Sequence, residues 1–141
     1  MEEPSEVEGW IREVIDGGGF PGIVAAYLFG SVAEGRDHRD SDVDVGVLLD
    51  RRIFPSPGDR FQQRLALSSA LSSVKGRAAD VVILNDAPPT FSRSVIRGMR
   101  IFCRDEELEH AFVRDVQLQA PDLEAFLHRM RAVKLHALAQ R

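Results

Sequence analysis

The apolar residues of the chain recur with two different spacings, and each spacing predicts a different kind of element. Over residues 5–16 they lie three or four positions apart, which predicts a helix with one buried face, and the glycines of 17–19 end it. The run 23–29 is apolar throughout and is typical of a strand buried on both faces. The runs 43–49 and 79–84 predict a second and a third strand.

A second helix is predicted between the second and third strands. Residues 60–74 have helical spacing, with Phe61, Leu65, Leu67 and Leu71 as apolar anchors. We therefore expect these four side chains to be buried against the sheet.

The end of the chain predicts helices and one small strand. The pair Pro88-Pro89 favours a helix start, so we expect a short helix over 90–98, followed by a strand over 100–103. A helix begins near Asp105 and ends at Pro121, and a last helix over 123–138 has one apolar face.

These elements predict an α/β (α+β) fold, in which helices flank a small sheet and a helical C-terminal tail follows. No internal repeat or interdomain linker interrupts the pattern. We expect a single domain over 1–141, with a core of about 20–104 and C-terminal helices of about 105–139.

Composition and charge argue against some classes of function. The chain has 141 residues and a formal charge of −4, which argues against direct, non-specific binding of nucleic acid. It has no apolar run of about 18 residues, so we expect a cytoplasmic protein with no membrane contact. Its single cysteine, Cys103, predicts a structural thiol and not a disulfide or zinc site.

The most informative motif is Gly30-Ser31, followed after ten residues by Asp42-Val43-Asp44. Side chains two apart on a strand share a face at about 6.5 to 7 Å, so Asp42 and Asp44 point the same way. Gly30 permits a tight turn close to phosphate, and the Ser31 hydroxyl can contact it. This spacing predicts a site for metal ions and a nucleotide triphosphate.

Asp80, near the start of the third strand, is the candidate for a third carboxylate. A neighbouring strand would bring it beside Asp42 and Asp44, where three like charges need a metal. Two Mg²⁺ ions would stabilise the attacking and leaving oxygens of an in-line displacement. We therefore predict Asp42, Asp44 and Asp80 as catalytic metal ligands.

Other patterns carry less weight. In an EF-hand loop starting at Asp40, Val45 would stand where the loop needs glycine, and Arg51 where it needs its final glutamate. We therefore reject an EF-hand calcium site. Three glycines over 17–22 have dinucleotide-fingerprint spacing but precede the first strand. Tyr27, in an apolar strand, is expected to be a core residue and not a self-modification site.

The acidic motif resembles that of the DNA polymerase β superfamily of nucleotidyltransferases. The finer runs 28–35 and 80–89 are similar to those of MNT (minimal nucleotidyltransferase) antitoxins from HEPN/MNT toxin–antitoxin pairs, although Val32 stands where many relatives carry Arg. The resemblance implies the small mixed sheet of the superfamily's palm, with Gly30, Ser31, Asp42 and Asp44 binding nucleotide.

The resemblance also implies a reaction and a partner. ATP and Mg²⁺ would be required, and AMP would pass to a tyrosine of a HEPN ribonuclease toxin held in a hetero-oligomer. Two alternatives stay open: inhibition of the toxin by binding alone, and nucleotidyl transfer to a small molecule. A third reading takes Arg131 and His136 as the Arg-x4-His motif of a HEPN toxin, but the α/β pattern contradicts that all-helical fold.

Overall fold

The computed structural model describes residues 4–30, 43–75, 78–119 and 131. Besides helical Arg131, these ranges contain four strands, four α-helices, a π-helical turn at Ile15–Gly19 and a 3-10 turn at Leu84–Asp86. This is the α+β class that the sequence predicts. In chain order the strands and α-helices are α1 (Pro4–Val14), β1 (Ile23–Phe29), β2 (Val43–Leu49), α2 (Pro57–Lys75), β3 (Ala79–Ile83), α3 (Pro89–Ile96), β4 (Met99–Cys103) and α4, helical over 106–119.

The four strands form one mixed sheet in the order β3-β2-β1-β4. β1 pairs antiparallel with both β2 and β4, whereas β2 and β3 run parallel. A parallel pair needs a long crossover between its strands, and α2 supplies it. The C-terminal end of β1 therefore lies beside the N-terminal ends of β2 and β3, at the same end of the sheet.

Helices cover both faces of the sheet. One apolar cluster joins α1 and α2 to the face that carries Val43, Val45 and Val47, which are fully buried. A second cluster joins α3 and α4 to the opposite face, where Tyr27 and Leu48 lie. Both faces of β1 are buried from Ile23 to Leu28, as its uniform apolar run predicts.

The buried stripe of α2 differs from the prediction. The helix begins at Pro57, three residues early, because the Ser56 hydroxyl accepts a hydrogen bond from the Asp59 backbone amide at 3.1 Å. Leu67 and Leu71 are buried as expected, but Phe61 and Leu65 are about half exposed, at 49% and 48%. The residue that shares a helix face with the two buried leucines is Arg60, which is only 4% exposed.

Buried Arg60 ties the start of α2 to the connection after β3. Its guanidinium donates two hydrogen bonds to the Asp86 carboxylate, at 2.8 and 2.9 Å, and a third to the Phe54 carbonyl at 3.0 Å. This bidentate pair holds the pKa of the Asp86 carboxyl below its usual range. Asn85 meanwhile bonds both the amide and the carbonyl of Leu49 at 2.9 Å, as a paired strand residue would.

A polar group lies buried where β1, β4 and α4 meet. The Tyr27 hydroxyl donates to Glu109, which also accepts a hydrogen bond from Arg100 at 2.7 Å. Glu109 is 3% exposed, and these two donors offset the cost of burying its carboxylate. Burial first, and Glu109 second, raise the pKa of Tyr27 well above its ordinary value. Tyr27 is the predicted core residue.

Two predictions of the sequence fall partly outside the described residues. α4 begins as expected, because the Asp105 side chain accepts a hydrogen bond from the Leu108 amide at 3.1 Å. The last predicted helix, 123–138, lies outside them except for Arg131, which is helical. None of the helices in the described ranges is both long enough and apolar enough to cross a membrane.

We expect Tyr27→Phe to lower the free energy of unfolding at neutral pH by about 1 kcal/mol, because Glu109 loses one of its two donors. The folded state also holds the Tyr27 proton more tightly than the unfolded state does. Its contribution is therefore complete below about pH 10 and falls as the pH rises beyond that.

Urea denaturation from pH 7 to pH 11 tests this prediction, with Tyr27→Phe as the reference. The stability difference between the two proteins should shrink at alkaline pH. A difference that stays constant would contradict the assignment. As the chain's only tyrosine, Tyr27 can be titrated directly by its ultraviolet absorbance.

Candidate functional site

The structure places Asp44 and Asp80 side by side. They are direct partners in the parallel pairing of β2 with β3, so both side chains leave the same face of the sheet. Asp44 is half-buried and Asp80 is exposed. Two carboxylates in register repel each other. Their arrangement therefore favours a cation that both carboxylates bind on their solvent side.

Gly30 brings the main chain against this pair. It follows β1 directly and has φ +75°, a left-handed conformation that favours glycine. A Cβ atom added at Gly30 would overlap Asp44 Oδ2. The Asp44 carboxylate fills the space that a side chain at position 30 would need, so the glycine in the motif has a steric cause.

Two predicted site residues lie outside the described ranges. Ser31 and Asp42, with the loop between them, are not described, so their positions remain those predicted from the motif. Within residues 4–30, 43–75 and 78–119, no three Asp, Glu, His or Cys side chains come together at metal-binding distance. The described part of the site thus contains two carboxylates, and Asp42 is the predicted third.

These residues fit a hard divalent cation. Carboxylate oxygens are the ligands that Mg²⁺ prefers, and no cysteine or histidine of the described residues joins Asp44 and Asp80. Within the part of the site that the structure describes, a soft metal would find no matching donor.

Helix α3 bounds the carboxylates on the same face. It packs closely on β2, because a Cβ atom at Gly46 would lie only 2.6 Å from Val95. The Phe91 ring meets the Phe29 ring edge-to-face, at 5.7 Å between centroids and 89° between planes. Since Phe29 pairs with Asp44 across β1 and β2, the aromatic pair borders the acidic site.

A cleft of about 700 Å³ opens along the C-terminal half of β3, two residues from Asp80. It lies between the first turns of α2 and α3, and its floor includes Val82, two residues beyond Asp80 on the same face. Phe61, Arg64 and Phe91 form its walls. The pair of Arg60 with Asp86 fixes its far end, because Asp86 also lines it.

The sequence did not predict the residues that form the surroundings of Asp44 and Asp80. Phe91 was a helix residue without a role, and Arg60 was only the first residue of a predicted helix. One signal for Arg60 was available: it stands seven residues before Leu67 and eleven before Leu71, on the same helix face. The meeting of Phe91 with Phe29, 62 residues apart, had no local signal.

Known proteins share this fold. In a solved structure of a toxin–antitoxin complex with AMP-PNP, a 22% identical chain superposes with a TM-score of 0.71 over 91% of this chain and 98% of that one. In another, a tri-AMPylated Shewanella oneidensis HEPN toxin with its MNT antitoxin, the values are 19%, 0.66, 94% and 98%. Comparison with curated proteins gives no match.

A minimal nucleotidyltransferase structure is 26% identical, with a TM-score of 0.51 over 70% of this chain and 94% of that one. The family model "Polymerase beta, Nucleotidyltransferase" matches residues 18–107, which include all four strands, Gly30, Asp44 and Asp80. That range is well over half of the 141 residues. The chain therefore belongs to the polymerase beta nucleotidyltransferase family.

Proposed function

We propose that this chain is an antitoxin with adenylyltransferase activity, which transfers AMP from ATP to a tyrosine hydroxyl of a partner HEPN ribonuclease toxin. The observation that carries the proposal is the in-register pair of Asp44 and Asp80 beside Gly30, in a member of a nucleotidyltransferase family. Transfer to this hydroxyl would block the toxin.

Each predicted residue has a part in the proposed site. Asp42 and Asp44 would hold two Mg²⁺ ions, and Asp80 would complete the ligands of one. Gly30 and Ser31 would seat the β and γ phosphates, because Gly30 gives the main chain close access beside Asp44. When bound, Mg²⁺ supplies positive charge to the phosphate oxygens of ATP.

The proposed reaction is a single in-line displacement. The tyrosine oxygen forms a bond to the α-phosphorus of ATP, and the bond from that phosphorus to the bridging oxygen of pyrophosphate breaks. The hydroxyl proton leaves to the Asp80 carboxylate or to solvent, because Asp80 is exposed on the edge strand of the described sheet. The products are AMP-tyrosine and pyrophosphate.

The solved structures support the choice of substrate and partner. One of the similar complexes contains AMP-PNP, an ATP analogue, and another contains a toxin that carries three AMP groups. Those facts belong to those proteins. Together with the shared fold, they favour ATP and a HEPN toxin in a hetero-oligomer over a small-molecule acceptor.

We expect Asp44→Asn to reduce AMP transfer by about a hundredfold or more, because neutralising this carboxylate removes a metal ligand. Asp16→Asn is the matched control, since Asp16 is an exposed carboxylate that follows α1. The measurement is the intact mass of the HEPN protein encoded by the neighbouring gene, after incubation with ATP and Mg²⁺.

Wild type and Asp16→Asn should add mass in AMP-sized steps, and Asp44→Asn should not. Transfer by Asp44→Asn at the wild-type rate would overturn the proposed site. A toxin that is neutralised by both variants, with no mass gain in any sample, would show inhibition by binding alone.

We expect Gly30→Ala to lower the rate of AMP transfer by about tenfold or more, because the new methyl group overlaps Asp44 Oδ2 and the positive φ becomes strained. Gly17→Ala is the control, since an added Cβ there has no neighbour within 4 Å and φ is not positive. Equal rates for the two variants would contradict the steric role of Gly30.

Chelation should abolish transfer, and added Mg²⁺ should restore it, because the carboxylates need a cation to approach a triphosphate. Calorimetry of ATP binding with and without Mg²⁺ gives a second readout, independent of turnover. Wild type should bind ATP more tightly with Mg²⁺ present, and Asp44→Asn should lose that gain. Transfer that persists in excess chelator would refute the metal requirement.

A further inference from the structure

Two aromatic rings are exposed beside the acidic site. Phe61 is 49% exposed and Phe91 is 39% exposed, and both line the cleft along β3. Large apolar side chains left open in a concave surface are typical of a binding site. Neither ring is needed to close the core, since Leu67 and Leu71 bury α2 against the sheet.

The floor of the cleft lies close to the carboxylates along β3. Val82 on its floor lies on the same face of β3 as Asp80, about 6.5 to 7 Å along the strand. Phe91 in its wall contacts Phe29, the partner of Asp44. A group that occupies the cleft would therefore have about 6.5 to 7 Å to span from Val82 to Asp80.

The strand order determines whether the attacking group or the leaving group lies on the side of the cleft. Gly30, at the end of β1, is the proposed seat of the departing pyrophosphate. In an in-line displacement the attacking oxygen and the leaving oxygen lie on opposite sides of phosphorus. Since the order is β3-β2-β1, the attacking hydroxyl approaches from the β3 side, where the cleft lies.

We propose that this cleft binds the acceptor polypeptide, with the ring of the target tyrosine between Phe61 and Phe91 and its hydroxyl beside Asp80. This inference rests on the proposed function and assigns the protein-substrate site within it. Aromatic walls suit a phenol ring, and the volume of about 700 Å³ exceeds that of one side chain, so flanking residues of the acceptor also fit.

Charge in the cleft also suits a polypeptide acceptor. The Asp86 carboxylate at its far end is already paired with Arg60, so it does not repel an acidic segment. None of the described carboxylates pairs with Arg64, which is left to contact the acceptor. The ion pair of buried Arg60 with exposed Asp86 fixes the far end before the acceptor arrives.

The test compares Phe61→Ala with Leu65→Ala. Leu65 lies one turn further along α2 and is 48% exposed, but it does not line the cleft. Both exposed substitutions leave the core intact, which thermal unfolding can verify. Steady-state AMP transfer is measured against the HEPN protein of the neighbouring gene at saturating ATP, and against ATP at saturating HEPN protein.

For Phe61→Ala we expect the KM for the HEPN protein to rise by about tenfold or more, as for an aromatic anchor of an interface. The KM for ATP should stay within about twofold of wild type, and Leu65→Ala should match wild type in both. A rise in the KM for ATP alone would place the adenine ring in the cleft and overturn the inference.

Two further outcomes separate the inference from the proposed function. Unchanged constants in Phe61→Ala, with normal transfer by wild type, would overturn the inference and leave the proposed function standing. No transfer by wild type would overturn the proposed function, and the acceptor site with it.

Discussion

The parallel pairing of β2 with β3 is the constraint on which the rest of the structure depends. It places Asp44 opposite Asp80, so that two like charges lie side by side on one face of the sheet. A parallel pair also requires a crossover, and α2 therefore has to return across the sheet. The first turn of that helix then stands beside the edge strand, where Phe61 forms one wall of the cleft. One pairing thus produces both the acidic site and the surface next to it.

In the described part of the site, both carboxylates lie on strands, and a glycine brings the main chain against one of them. Asp44 lies within a strand whose valines are fully buried on the other face, so its carboxylate has a fixed origin. Gly30 combines a positive φ with a main chain that lies directly against that carboxylate, so a side chain there would collide with it. The neighbouring layer is equally close-packed, since Gly46 lets Val95 of α3 approach the sheet. Substrate charge would meet a pre-organised surface instead of one that must form on binding.

Local sequence signals predicted most of the fold, and failed where the cause was not local. β1 and β2 have the predicted bounds, because short apolar runs ended by glycine or charge allow no other element. Phe61 and Leu65 were wrongly predicted as buried anchors. The buried face of α2 contains Arg60 together with Leu67 and Leu71, so Phe61 and Leu65 lie on a half-exposed side of the helix. An arginine is buried only when a partner neutralises it, and Asp86 lies 26 residues away in the chain. The carboxylate motif was visible in sequence, but its register with Asp80 depends on long-range strand pairing.

The same division explains why the motif alone says little about the acceptor. Carboxylates, a glycine and a triphosphate are common to transfer onto any hydroxyl, so they define the reaction and not its target. Selection of a protein acceptor needs contact area beyond the reacting oxygen, and binding energy from such remote contacts is what orients it. In the described part of this chain, the surface that adjoins Asp80 and exposes aromatic rings is the cleft between α2 and α3. The residues that decide the target are therefore expected outside the family motif, on helices whose exposed positions the reaction itself leaves free to differ.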